Sequence, residues 1–159
     1  MEAGEGAVSR DTRIFALCLG ALSLIILGAS TMATFAIAHG GPQILRTPFL
    51  LMCHGIPHRC LTLFGTHMPI CARCVAIYAG FIAGIALFPI AKRIEERAMR
   101  IVLACAAAPI FLDGVTQAMG LRESTNPLRM ATGLMVGVAF GSWVLVAIET
   151  RARQRFAES

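Results

Sequence analysis

Between positions 53 and 74 stand Cys53, His54, His58, Arg59, Cys60, His67, Cys71, Arg73 and Cys74, the densest run of chemically competent side chains in the sequence. Four of the six cysteines lie here, and with His39 the segment 39–74 holds all four histidines. CARC at 71–74 falls where an apolar helix is predicted to begin, and the free amide groups of a helix N-terminus favour negative charge. Arg73 adds a cation between the two thiols, so at least one sulfur is expected to have a lowered pKa and to serve as metal ligand or redox nucleophile. Zinc and similar transition metal ions accept tetrahedral mixtures of thiolate and imidazole. The candidate ligands are therefore Cys53, His54, Cys71 and Cys74, with Cys60 and His67 as further donors. The spacing C-x6-C-x10-C-x2-C is not a specific zinc pattern.

The same residues support two other readings. A CxxC at a helix start is the arrangement of dithiol catalysts, and its layout looks like that of the quinone-coupled disulfide-forming membrane enzymes, although the loop order differs. Quinone would then be the cofactor. The plainer alternative is a pair of structural disulfides clamping a long loop.

The elements that must position these groups are membrane spans. Apolar residues make up 57% of the 159-residue chain and charged residues 14%, and the mean hydropathy is +0.72; such a composition excludes an ordinary water-soluble domain. Its length leaves room for one membrane domain, 1–159, and no soluble module. The predicted spans are 14–38, 75–91, 101–119 and 128–148, each near the roughly 20 residues that cross a bilayer. Residues 1–13 and 149–159 form tails, and 39–74 forms an extracytoplasmic or re-entrant loop punctuated by Pro42, Pro48, Pro57 and Pro69. The expected fold is an all-α integral membrane bundle of about four transmembrane helices with this Cys/His-rich loop between the first and second. Ala36 and Ala38 make a small-x-small site of the kind that ends a secretory signal, but an apolar stretch from Ile14 to Ala38 is too long for one, which favours an anchor.

Positive residues favour the cytoplasmic side. Arg10, Arg13, Lys92, Arg93, Arg97, Arg100, Arg151, Arg153 and Arg155 on one side outnumber Arg46, Arg59, Arg73, Arg122 and Arg129 on the other. A multi-pass protein of the cell membrane with cytoplasmic termini and an outward-facing cysteine loop is expected. The net charge of +5 is spread over span ends and forms no basic face, so nucleic acid is not an expected partner. The lipid bilayer is. Gly80 and Gly84 in the second span, and Gly133, Gly137 and Gly141 in the fourth, repeat at four-residue spacing, which marks close helix packing within the chain, against a second copy or against another membrane protein.

Asp113 is an ionisable group inside the third span, beside Thr116 and Gln117, and Pro109 lies in the same span. Intramembrane carboxylates are costly, so Asp113 is expected to face the bundle interior, compensated by Arg73, Arg129 or a bound cation. Asp113 or His67 would be the group that orients a histidine ligand. In RESTNPLR at 122–129, Arg122, Glu123, Asn126 and Arg129 could bind a lipid head group or phosphate, while Ser124 and Thr125 before Pro127 start a helix. Cys18 and Cys105 lie in apolar surroundings and read as packing.

CH at 53–54, PICARCVAIYAG at 69–80, DGVTQ at 113–117 and GLRESTNPLRMATG at 120–133 together resemble the prokaryotic membrane-protein family catalogued as domain of unknown function 2085. The resemblance covers roughly residues 45–141. It implies a small multispan protein in which the Cys-His pair, CxRC, Asp-Gly and Arg-Glu-Ser-x-Asn recur, and it implies no activity. The family commonly has serine where Cys60 stands, leaving three cysteines and His54 as the shared set, which suits a metal site better than two disulfides. Three functional classes follow: a metal-binding membrane protein, a thiol-disulfide oxidoreductase, and a structural partner of a membrane complex.

Overall fold

The computed structural model describes residues 8–121 and 123–157. Four long helices dominate: α1 (Arg10–Ala38), α2 (Ala72–Ala91), α3 (Glu96–Ala118) and α4 (Asn126–Ala157). All four contain windows long and apolar enough to cross a membrane. Their exposed faces carry Leu17, Leu24, Ile25, Met32, Ile90, Ile101, Phe111 and Leu112, as expected where the surrounding solvent is lipid. The fold is an all-α membrane bundle.

The starts of α1 and α4 and the end of α1 have local causes. Ser9 caps α1, its hydroxyl oxygen accepting from the Thr12 amide at 3.3 Å, and Pro127 occupies the first turn of α4, where its missing N–H costs nothing. α1 ends at a turn in which Gly40 takes a φ of +88°. Inside the spans, the buried hydroxyls of Ser23, Ser30 and Thr34 donate to carbonyls of their own helix, which satisfies them where water is absent.

α2 and α4 form the central pair, with α3 against α4 and α1 against α2. Glycine makes that pairing close. A Cβ on Gly137 would stand 2.4 Å from the Ile77 carbonyl oxygen, and one on Gly80 would stand 2.8 Å from Gly137 Cα. The two glycine series therefore face each other inside one chain, and these faces are not exposed for a second copy.

The segment between α1 and α2 is more ordered than a loop. A 3₁₀ helix, Gln43–Leu51, is followed by a short 3₁₀ turn, Pro57–Arg59, and then by an antiparallel hairpin of β1 (Cys60–Leu63) and β2 (Thr66–Cys71). Phe64 and Gly65, both at positive φ (53° and 76°), form the two-residue turn whose twist suits a hairpin. Ile70, fully buried, joins Ile26, Ala33, Phe49, Cys53 and Met68 in a cluster that fixes this segment against α1.

A second cluster, built from Phe88, Ala91, Met99, Leu145 and Val146, closes the opposite end. There Glu149 accepts from the Ser9 amide at 3.0 Å and the Thr12 hydroxyl at 2.9 Å, so the start of α1 and the last part of α4 meet. The α2–α3 connection lies beside them, with Lys92, Arg93 and Glu149 lining one surface hollow. The cysteine hairpin and the α3–α4 connection gather at the other end.

Candidate metal centre

Two pieces of backbone bring three sulfurs together. Cys71 ends β2 and is also the N-cap residue of α2, with φ −72°, ψ 159° and no side-chain capping bond. Its thiol is thus left for other contacts. Cys74 follows one turn later, a spacing that returns a side chain to the same helix face. Cys53 arrives from the 3₁₀ segment, held by its amide donating to Phe49 O at 2.9 Å.

The Sγ atoms of Cys53, Cys71 and Cys74 all lie within 4.8 Å of one another. Cys71 Sγ donates to Cys74 Sγ at 3.5 Å, and the Cys71 amide donates to Cys53 Sγ at 3.2 Å. All six cysteines are free thiols. Thiolates bonded to zinc at about 2.3 Å in a tetrahedron stand about 3.8 Å apart, so this triangle is close to the size such an ion requires. Hydrogen bonds from the Cys71 and then the Cys74 side chain hold the Cys53 thiol well below the usual thiol range, against an opposing contribution from burial. These bonds favour the thiolate form of Cys53.

The remaining predicted donors stand apart. Cys60 is buried and its thiol donates to Ile56 O at 3.2 Å; burial above all pushes it up to about 11. His67, on the exposed face of β2, lies 3.2 Å from the Thr62 hydroxyl and does not join the sulfurs. His54 is exposed and lines a cavity beside Cys53 and Cys71 without belonging to the three-sulfur group.

Asp113 is buried, and Arg73 on α2 donates to its carboxylate. That pair answers the charge question raised by the third span. Thr116 turns back to the Leu112 and Asp113 carbonyl oxygens at 2.9 and 3.2 Å, so its hydroxyl serves its own helix. Gln117 reaches α4 instead: with its amide oxygen facing the donors, it accepts from the Ser124 amide at 3.2 Å and Arg129 Nη2 at 2.8 Å. Arg129 Nη1 donates to Asn126 at 3.0 Å, and Asn126 donates to Cys60 O at 3.3 Å. A polar chain therefore ties α3, α4 and β1 together behind the sulfurs. Arg122 lies outside the described residues.

Residues 53–143 match the sequence profile of the family described as "Predicted membrane protein (DUF2085)". The chain belongs to that family. Within DUF2085 it is similar to an uncharacterised protein of Methanocaldococcus jannaschii, 37% identical over 99 residues that make up 61% of this chain and 64% of the other. It is also similar to an uncharacterised protein of Methanothermobacter thermautotrophicus, 38% identical over 91 residues, 57% of this chain and 81% of that one. The match thus spans just under two thirds of the first relative's length. No solved structure matches.

The stretch that matches DUF2085 opens on Cys53 and contains all three sulfurs, the Arg73–Asp113 pair and the Gln117–Arg129 link, while α1 lies outside it. Sequence reasoning used Arg59 only to orient the chain, yet it lines the same cavity as Cys53 and Cys71. Its position inside the Cys/His run was the available signal. The hairpin was also missed, because its turn places Phe64, a residue that rarely adopts positive φ, beside Gly65 in place of the usual Asn or Asp.

Proposed function

We propose that this DUF2085 protein is a membrane metal-binding protein whose centre is made by Cys53, Cys71 and Cys74 and whose ion is zinc or another thiophilic transition metal. The observation that carries the reading is the meeting of three free sulfurs, from two separate chain segments, within 4.8 Å. A CxxC alone supplies two donors, and a third sulfur held by the Cys71 amide has no use in a simple dithiol couple. Three thiolates with no fourth protein donor among the described residues match the open type of site, where the last position is left to another ligand.

The orientation proposed for the chain follows from its basic residues. Lys92, Arg93, the start of α1 and the last part of α4 share one end of the bundle, which we place in the cytoplasm of the cell, so the sulfurs stand at the outer face. A second reading has one specific support: Cys71 and Cys74 lie 3.5 Å apart, close enough for oxidation to a disulfide that passes two electrons and two protons to an acceptor such as a quinone.

The test is elemental analysis of full-length protein purified in mild detergent without chelator. About one transition metal per chain is expected, lost in Cys53→Ser and in Cys71→Ser with Cys74→Ser, and retained in Cys60→Ser, whose sulfur is committed to Ile56. Wild-type protein that emerges metal-free and fails to take up added zinc overturns the reading. Reversible formation of a Cys71–Cys74 disulfide in that same metal-free protein would select the redox alternative.

A further inference from the structure

We propose that the cavity beside the three sulfurs is an oxyanion site that receives a phosphate-class group. The cavity holds about 240 Å³ and is lined by Arg59, Arg73, Arg129 and Gln117 together with Cys53 and Cys71. Its cations come from three different elements: Arg59 from the 3₁₀ turn, Arg73 from the first turn of α2, and Arg129 from the first turn of α4. Three guanidinium groups converging from separate directions, each a rigid fork of N–H donors, suit a group with several oxygens.

Their charge is not used up by the described residues. Among the described residues, the one carboxylate paired with any of them is Asp113, bound by Arg73. Arg129, only 3% exposed, spends its donors on the neutral side chains of Asn126 and Gln117. The Arg59 guanidinium makes no hydrogen bond or ion pair with a described residue, its backbone amide alone donating to Ile56 O at 2.9 Å, and its Nε is buried without an acceptor, as is Arg73 Nε. Buried charge and buried N–H groups left in this state are expensive unless a ligand meets them. Among the described residues, the three guanidinium groups answer to the single carboxylate of Asp113. The volume is below the roughly 300–1,000 Å³ of pockets that enclose drug-sized molecules, so the site accepts the anionic group itself and leaves the rest of a larger ligand outside.

The inference goes beyond the metal reading and does not require it, because the guanidinium groups face the cavity whether or not the sulfurs hold an ion. Inorganic phosphate and the head group of phosphatidic acid present the same chemistry, and the experiment separates them.

Full-length protein in phosphatidylcholine nanodiscs is dialysed to equilibrium against radiolabelled orthophosphate, in metal-free and zinc-loaded forms. Saturable binding of about one phosphate per chain is expected in at least one form. Arg59→Gln is expected to weaken it roughly 10- to 100-fold, the effect of losing a charge-assisted hydrogen bond. A second measurement does not depend on any variant: saturating phosphate should slow modification of Cys53 by a negatively charged thiol reagent in metal-free wild-type protein. Displacement of the label in nanodiscs containing phosphatidic acid assigns the site to a lipid head group, and retention assigns it to the free ion; either supports the site. Absence of saturable binding in both forms overturns it, as does an Arg59→Gln protein of native elution profile that binds phosphate as wild type does. Metal content measured on the same samples keeps the two readings apart, since phosphate bound by protein that takes up no metal preserves this site and removes the other.

Discussion

Replacing Gly137 by alanine measures how much the α2–α4 seam depends on backbone proximity. The added Cβ would stand 2.4 Å from Ile77 O, 2.9 Å from Gly80 Cα and 3.1 Å from the Ile77 carbonyl carbon, where ordinary contact begins near 3.4 Å. None of these atoms belongs to a side chain that could rotate away, so the helices must part by about 1 Å, a gap that forfeits roughly a quarter to a half of the attraction between facing atoms. Overpacking of this kind costs about 1–3 kcal/mol. Alanine is favoured over glycine inside a helix by about 0.5–1 kcal/mol, which leaves a net loss of up to about 2.5 kcal/mol and about 1 kcal/mol at mid-range. Gly114→Ala in α3 is the matched control, because a Cβ there meets nothing within 4 Å and only the helix preference remains. The assay is reversible unfolding in mixed micelles of rising SDS fraction, followed by circular dichroism. The reasoning is refuted if Gly137→Ala unfolds at the wild-type SDS fraction, or if Gly114→Ala loses as much stability as Gly137→Ala does.

Asp113→Asn should destabilise the bundle in the same titration by about 3 kcal/mol, since it strands Arg73 beside a neutral partner in a mostly buried pair; the double variant Arg73→Met with Asp113→Leu should recover much of that. Cys60, pushed up to about 11 from an ordinary thiol value of 9.0, stays protonated in the native state after an unfolded chain would release its proton. Its contribution to stability is therefore complete below pH 9.0 and disappears as pH rises through about 11, and mass-spectrometric alkylation should leave Cys60 unmodified at pH 8 in native protein. Glu149→Ala removes the acceptor shared by Ser9, Thr12 and Arg153, and hydrogen exchange should then show lost protection in residues 10–14 while α2 is unchanged. Gly133→Ala, whose Cβ would press on Arg73 O at 2.7 Å, should lower metal retention without altering any sulfur.

The hydrophobic architecture was legible because lipid imposes a composition that a single sequence displays without help. Helix starts were less so. Hydropathy places the second span from Val75, whereas α2 begins at Ala72, because the charge of Arg73 depresses an average without disturbing a backbone that Cys71 has already turned into the helix. Cys53, Cys71 and Cys74 could be proposed from their types, yet nothing local excluded Cys60 or His67 from the same set. What separates them is the hairpin register, which pairs Thr62 with His67 well down the strands, and the bond that commits Cys60 to Ile56. Both are tertiary facts. The partner of Asp113 was legible only as a choice between Arg73 and Arg129; the ion pair that Arg73 on α2 makes with Asp113 on α3 decides for Arg73, and Arg129 goes to Gln117 and Asn126 instead. The glycine spacing announced a close helix contact but said nothing about whether its mate lay in the same chain.

Cys71 is at once the last residue of β2 and the cap of α2, with no linker to absorb slack between the two. The Phe64 ring at the hairpin tip packs edge-on against Phe35 of α1, 5.4 Å between centroids, so the strand that ends on this sulfur is moored to the first helix at its far end.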